Sequence, residues 1–200
     1  MEIYGTPTSP YTRIARIIAA ELGFQPPLRM MKWRETPDDL YKINPAGRIP
    51  LLVDGDRSVG ESRTICNYLI GHPQAHPEAS FRKLEGDTRW DEENLLGMIY
   101  AAIDGLVVIR ALDDPPAVSH PYKERSRERI EQCFRAIDDI AAQGYLVEPN
   151  GFGIAEAALI TAIDAIGGRG IADLSGYVHT NSIRTRYADR TSVAETAPVF

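Results

Sequence analysis

The sequence predicts two modules in series, an α/β module over residues 1–75 and an all-helical module over residues 76–200. Three observations carry this reading. Short extended and short helical patterns alternate through the first 75 residues. Beyond them, apolar residues recur at helical spacing. Between the two lies His72-Pro73-Gln74-Ala75-His76-Pro77, with two prolines and little apolar content, which reads as a linker. The charge changes at the same place, from a net +1 over residues 1–75 to a net −7 over residues 76–200. A nearly neutral first module suits an anionic ligand better than the acidic second one does.

Each element has a local justification. Glu2 to Tyr4 reads as a strand, and Gly5-Thr6-Pro7-Thr8-Ser9-Pro10 as the turn into a helix. From Tyr11, the residues Ile14, Ile17, Ile18 and Leu22 recur at helical spacing, with Gly23 as the stop. Leu28 to Trp33 is a second strand. Thr36-Pro37-Asp38-Asp39 supplies a cap, a proline at the first helical position and early acids for a short helix ending near Asn44-Pro45. Leu51-Leu52-Val53, the Asp54-Gly55 turn and Arg57 to Val59 make a hairpin. Ser62 caps a third helix running through Ile65, Leu69 and Ile70 to Gly71. In the second module, Leu84, Leu95, Met98, Ile99, Ala102, Leu106 and Ile109 trace one long helix, ended by Asp113-Asp114-Pro115-Pro116. Ile130, Phe134, Ile137 and Ile140 trace another between Tyr122 and Gln143. Ile154 to Ile166 is so continuously apolar that it reads as a central helix buried all round.

Composition excludes several classes of protein. With 200 residues, 44% of them apolar and 25% charged, the chain is ordinary globular material rather than a disordered or fibrous one. The longest apolar stretches, such as Met98 to Ile109, are broken by Asp104 and Gly105 and fall short of the roughly 20 residues that span a bilayer. The opening Met-Glu-Ile-Tyr-Gly-Thr-Pro reads as a strand entering a turn, not as a secretory leader, so a cytoplasmic protein without membrane contact is expected. A net charge of −6 argues against nucleic acid as the main partner. Cys66 and Cys133 stand far apart among apolar neighbours and read as reduced packing residues. Without a Cys-x-x-Cys or a Cys/His cluster at ligand spacing, neither dithiol chemistry nor a metal is expected.

Three motifs in the first module can carry chemistry. In Thr8-Ser9-Pro10-Tyr11, Ser9 before Pro10 is a helix N-cap with proline at the first helical position, and capping alone accounts for both. The same geometry puts a hydroxyl beside free N–H groups at a positive helix end, where a thiolate would be stabilised. In Asn44-Pro45-Ala46-Gly47-Arg48-Ile49-Pro50-Leu51-Leu52, Pro50 is either punctuation before a strand or a cis-proline that presents the Ile49 backbone to an extended peptide. In Gly60-Glu61-Ser62-Arg63, Ser62 is a cap or, with the helix start, a seat for a carboxylate, while Glu61 can pair with an ammonium. An α-amino acid head group offers both charges.

Taken together, these stretches resemble the glutathione transferase family. The likeness continues through Gly151-Phe152-Gly153-Ile154-Ala155-Glu156 and Arg186-Tyr187-Ala188-Asp189-Arg190-Thr191-Ser192-Val193, so it covers nearly the whole chain. The resemblance implies a thioredoxin-like glutathione-binding domain over 1–75 and a helical domain over 76–200 that completes a pocket for a second substrate. It implies glutathione as co-substrate, a small hydrophobic electrophile as its partner, a homodimer and a role in detoxification. Ser9 would face the glutathione sulfur, which makes this a serine-type member, with Thr8 and Thr6 as fallback hydroxyls and Tyr4 as a strand residue. Ile49 with cis-Pro50 would pair with the cysteinyl backbone, and Glu61 with Ser62 would hold the γ-glutamyl head. Lys32, Arg34, Lys42 and Arg48 are candidates for the glycyl carboxylate. Tyr11, Tyr100, Ile103 and Arg110, with Trp90, are candidates for the second substrate.

One departure stands out. Where the family usually places Ser or Thr and Asp in a buried capping box, this chain has Gly153 and Glu156, for which a modest effect on stability is expected. The leading functional expectation is a transferase that activates the glutathione thiolate. The competing expectations are a non-catalytic binding or regulatory protein on the same fold and a glutathione-dependent isomerase, dehalogenase or ether-cleaving lyase.

Overall fold

The computed structural model describes residues 1–31, 38–77, 81–82, 86, 88–113, 120–144, 146 and 151–200. The chain separates into two compact units, one formed by Met1–Phe81 with Arg190–Val199 and the other by Arg82–Asp189 with Phe200.

The first unit is built on a four-stranded sheet: β1 (Glu2–Gly5), β2 (Leu28–Met30), β3 (Leu51–Asp54) and β4 (Arg57–Gly60), in the order β2-β1-β3-β4. The β1 and β2 strands are parallel, with Ile3 opposite Leu28, and joined through helix α1 (Pro10–Glu21), whereas β3 runs antiparallel to both β1 and β4. This mixed sheet with α1 and α3 (Ser62–Ile70) is the thioredoxin-like arrangement expected. A short α2 (Asp38–Ile43) precedes β3. Ile14, Ile17, Ile18 and Leu22 of α1 are fully buried with Ile3, Leu52, Ile65 and Leu69, so the predicted apolar stripe is the core. Gly23 stops α1 with φ +82°, a conformation that favours glycine. The 72–77 stretch lies against this unit: the His76 N–H donates to Leu22 O at 3.0 Å, and His72 Nε2 lies 3.3 Å from the Asp54 carboxylate.

One expectation is corrected. The third helix is capped by Glu61, not Ser62: Glu61 has the non-helical φ 63°, ψ 128°, and its carbonyl accepts the Ile65 N–H, so Ser62 is the first helical residue. The second strand is described only over Leu28–Met30; positions 32 and 33, and the Thr36-Pro37 cap, lie outside the described residues.

The second unit is helical throughout. It contains α4 (Thr88–Leu112), α5 (Pro121–Ala142), α6 (Ile154–Gly167) and α7 (Val178–Arg186). Leu84 and positions 114–116, assigned to the ends of the long helix, lie outside the described residues. The α4 helix packs against both α5 and α6. At Gly105 an added Cβ would stand 3.0 Å from Ile130 Cγ1 and 3.1 Å from Ser126 O, so the glycine permits a close α4–α5 approach. As predicted, α6 is buried almost all round, from Ile154 to Ile166. Contrary to the sequence reading, Arg89–Leu112 contains an 18-residue window, with mean hydropathy 1.9, that is long and apolar enough to cross a membrane, because Asp104 and Gly105 do not interrupt the helix. Its Leu95, Leu96, Ile99, Ala102, Ile103, Leu106 and Ile109 are at most 1% exposed, which is the pattern of a core helix.

The start of α6 carries a buried ionic cluster. Glu156, fully buried, accepts the Gly153 N–H at 2.8 Å, so the acid half of the capping box is present. Arg82 grips the same carboxylate with both amino groups, at 2.7 and 2.8 Å, and reaches Glu92 at 3.0 Å. A Cβ on Gly153 would lie 3.1 Å from the Arg82 carbonyl oxygen, so the close backbone of Arg82 explains why glycine fits where the family places a hydroxyl residue. The chain then returns to the first unit through α8 (Thr191–Ala194).

Candidate functional site

The three motifs of the first unit meet at one end of its sheet. Tyr4 pairs with Leu51, and Leu51 pairs with Gly60, so the end of β1, the start of β3 just after Pro50 and the end of β4 just before Glu61 lie at one end of the sheet. The turn after Gly5 leads to Ser9 at the start of α1, and Glu61 leads directly into α3. Strand pairing thus brings together segments more than 50 residues apart in the chain.

Ser9 is the N-cap of α1, with Pro10 at the first helical position. Its Oγ accepts the Thr12 N–H at 3.3 Å. That bond uses a lone pair of the hydroxyl and leaves its O–H to donate, so capping and anion binding are compatible at this residue. Thr6 is buried and its carbonyl accepts the Ser9 N–H at 3.2 Å, while Thr8 is half-buried. Tyr4 lies within β1.

The Ile49–Pro50 peptide is cis, and Pro50 is buried while Ile49 is half-exposed. No backbone hydrogen bond ties the N–H or C=O of Ile49 to other described residues. The preceding turn is held by Asn44, whose Nδ2 donates to Arg48 O at 2.7 Å and whose Oδ1 accepts the Ala46 N–H at 3.2 Å. Gly47 has φ +60°, and a Cβ there would stand 2.5 Å from the Tyr41 ring. Its positive φ favours glycine, and a side chain there would also have to displace the Tyr41 ring.

At the start of α3, Ser62 is 2% exposed. Glu61 is a non-glycine residue with positive φ, an uncommon backbone state of the kind that clusters at functional sites. Its carboxylate lies 3.7 Å from the Arg48 guanidinium, both side chains being mostly exposed. Among the basic residues expected near the glycyl end, Arg48 therefore stands beside Glu61, Lys42 ends α2, and Lys32 and Arg34 lie outside the described residues.

The residues expected for a second substrate fall in separate elements. Tyr11 is half-buried in the first turn of α1. On α4, Tyr100 and Arg110 are half-buried, Ile103 is fully buried and Trp90 is 67% exposed. Burial pushes the Cys66 thiol up to about 12, which leaves it protonated at neutral pH.

A second polar cluster on this unit escaped the sequence reading. Tyr68 Oη donates to Asp54 Oδ2 at 2.7 Å, and His72 approaches the same carboxylate while its Nδ1 accepts the Gln74 N–H at 3.2 Å. The Tyr68 hydrogen bond, with help from His72, holds the Asp54 carboxyl below its ordinary value.

Comparison with known proteins defines the class. Residues 3–77 match the family model of the glutathione S-transferase N-terminal domain. The crystal structure of a glutathione S-transferase from Methylobacillus flagellatus with glutathione bound matches the whole chain with a TM-score of 0.84, covering 99% of each chain at 22% identity. Residues 3–77 thus match the glutathione S-transferase N-terminal domain, and the chain has the glutathione transferase fold over its whole length. Among curated relatives, a stringent starvation protein A homolog of Coxiella burnetii is 34% identical over 80 residues, 38% of this chain and 38% of that protein. Glutathione S-transferase 3 of Zea mays is 36% identical over 72 residues, 34% of this chain and 32% of that protein. The chain therefore matches about a third to two-fifths of the length of these relatives.

Proposed function

We propose that the protein is a serine-type glutathione transferase that binds glutathione on residues 1–75 and activates its thiol for attack on a small hydrophobic electrophile. The observation that carries this reading is Ser9 at the N-cap of α1, with a hydroxyl free to donate while it caps. A free cysteine thiol has a pKa near 8.5, so little of it is thiolate at neutral pH. A hydrogen bond from Ser9 and the positive end of α1 stabilise the thiolate over the thiol; lowering the pKa by one or two units corresponds to about 1.4–2.7 kcal/mol.

In this reading the Ile49 backbone beside Pro50 pairs with the cysteinyl residue, and Ser62 and Glu61 hold the carboxylate and ammonium of the γ-glutamyl head. The Arg48 side chain is then displaced from Glu61 toward the ligand's carboxylates. The thiol releases its proton to solvent and the thiolate sulfur attacks the electrophilic carbon, forming a C–S bond; either the bond to a displaced group breaks and its pair leaves with that group, or the π bond of an activated alkene breaks and its pair moves onto the activating group and is protonated. No protein nucleophile takes part. Tyr100 and Arg110 of α4 are proposed contacts of the second substrate. A cytoplasmic, homodimeric protein working in detoxification fits this chemistry.

Calorimetry with glutathione and ultraviolet titration of the bound thiolate test the proposal. Wild type should bind glutathione with a lowered thiol pKa, and Ser9→Ala should raise that pKa by about one unit, a loss of about 1.4 kcal/mol. Absence of binding in wild type would overturn it.

A second reading has a specific observation behind it. The stringent starvation protein A homolog is as similar over its matched segment as the transferase from maize. A regulatory protein that binds glutathione or none, with no turnover of electrophiles, would show this by a flat activity screen alongside intact folding.

A further inference from the structure

Two charged residues of α1 are buried away from the surface, Arg13 at 2% exposure and Glu21 at 5%. Both are tied to a segment about 170 to 180 residues later in the chain. The Arg13 guanidinium donates from Nη2 to Val193 O at 3.3 Å and from Nε to Thr196 Oγ1 at 3.4 Å. At the other end of the helix, Arg190 donates to both oxygens of Glu21, at 2.7 and 2.5 Å, and Ser192 Oγ donates to the same carboxylate. The segment is stiffened internally, with Thr196 Oγ1 bonded to Ser192 O at 2.7 Å. Ser192 and Thr196 are themselves only 5% exposed.

We propose that residues 190–196 are a clamp that positions α1, so that Arg13 and Glu21 are positioning residues for the thiolate site; this rests on the glutathione reading above. The two anchors lie about 12 Å apart along the helix axis, at 1.5 Å per residue. Held at two points, the helix can neither slide along the sheet nor turn about its axis. The upper anchor acts directly on the site, because the Arg13 N–H donates to Ser9 O at 3.0 Å in the same turn whose Thr12 N–H binds Ser9 Oγ. Fixing Arg13 fixes the direction in which Ser9 and the free N–H groups point. Apolar residues would fasten α1 to its neighbour with no desolvation of charge. Buried charges with directional bonds select one orientation, which a site that must hold a sulfur within hydrogen-bond reach requires.

The test compares Thr196→Val, which keeps the shape and removes the hydroxyl that accepts from Arg13 Nε while leaving Val193 O, with Thr196→Ser, which restores it. Hydrogen exchange without ligand should be about tenfold faster at the amides of the first α1 turns in Thr196→Val, with β1 and β3 unchanged, and normal in Thr196→Ser. With glutathione bound, the thiolate fraction at neutral pH should fall about threefold in Thr196→Val and recover in Thr196→Ser. Unchanged exchange in Thr196→Val overturns the clamp, and so does a lowered melting temperature with an unchanged thiol pKa. If wild type binds no glutathione, the functional reading fails while the exchange comparison still decides the clamp. Should Thr196→Val fail to fold, Ser192→Ala, which leaves Arg190 on Glu21, serves in the same measurements.

Discussion

Individual side chains divide into those the fold has silenced and those it has tuned. Cys66 is fully buried and its thiol is pushed up to about 12, so it should resist alkylation in the folded protein at pH 8, whereas half-buried Cys133 should react first. Mass spectrometry after timed labelling checks this, with Cys66 modified only on unfolding. Asp54 is tuned in the opposite sense. Its folded pKa is lowered by Tyr68 and His72, so the stability it contributes is present above the unfolded carboxylate pKa and is lost as pH falls through the folded one. Urea unfolding across pH should therefore show a weaker acid-dependent loss below about pH 4 in Tyr68→Phe than in wild type.

Among the elements, α6 depends most on a charge arrangement. Removing the Glu156 side chain would take away one of the two carboxylates that hold Arg82, leaving Glu92, and free the Gly153 N–H together. Glu156→Ala should accordingly destabilise the second unit by about 1–3 kcal/mol, measured by denaturant unfolding. The elements also show what can be read from sequence. Helices α1, α4 and α5 were legible because their apolar residues repeat at the helical period, and α6 because its apolar run is continuous. Helix α7 was not, since Val178–Arg186 holds only two aliphatic residues, Val178 and Ile183, and the former is 66% exposed. The start of α3 was misplaced by one residue because Ser62 has the chemistry of a cap, whereas the backbone that ends the helix belongs to Glu61 and its positive φ.

At the scale of the molecule, the candidate site was legible where it lies in contiguous motifs and illegible where it depends on long-range pairing. Ser9 sits in a local pattern that states its own geometry, Pro50 in one that left two geometries open, and Glu61 with Ser62 in one that placed the cap a residue late. Arg13, Glu21 and Arg82 look like surface charges in the sequence, because partners that justify burying them, Glu92 aside, lie 74 to 183 residues away. Ligand linkage tests the whole arrangement. Glutathione at a hundredfold excess over its dissociation constant should stabilise the folded state by about 2.7 kcal/mol, seen as a concentration-dependent rise in melting temperature that Ser9→Ala only partly removes.

The discontinuity of the first unit reaches beyond the finished molecule. Residues 190–199 complete a unit whose other 81 residues are made first, so a growing chain must carry an unfinished sheet domain while the entire helical unit is synthesised. At about 5–20 residues per second, that wait is on the order of ten seconds. During it, Arg13 and Glu21 lack their native partners at Val193, Thr196, Arg190 and Ser192. A ribosome-stalled fragment ending before Arg190 should therefore be cut faster within α1 by a protease than the finished chain is, which limited proteolysis would read.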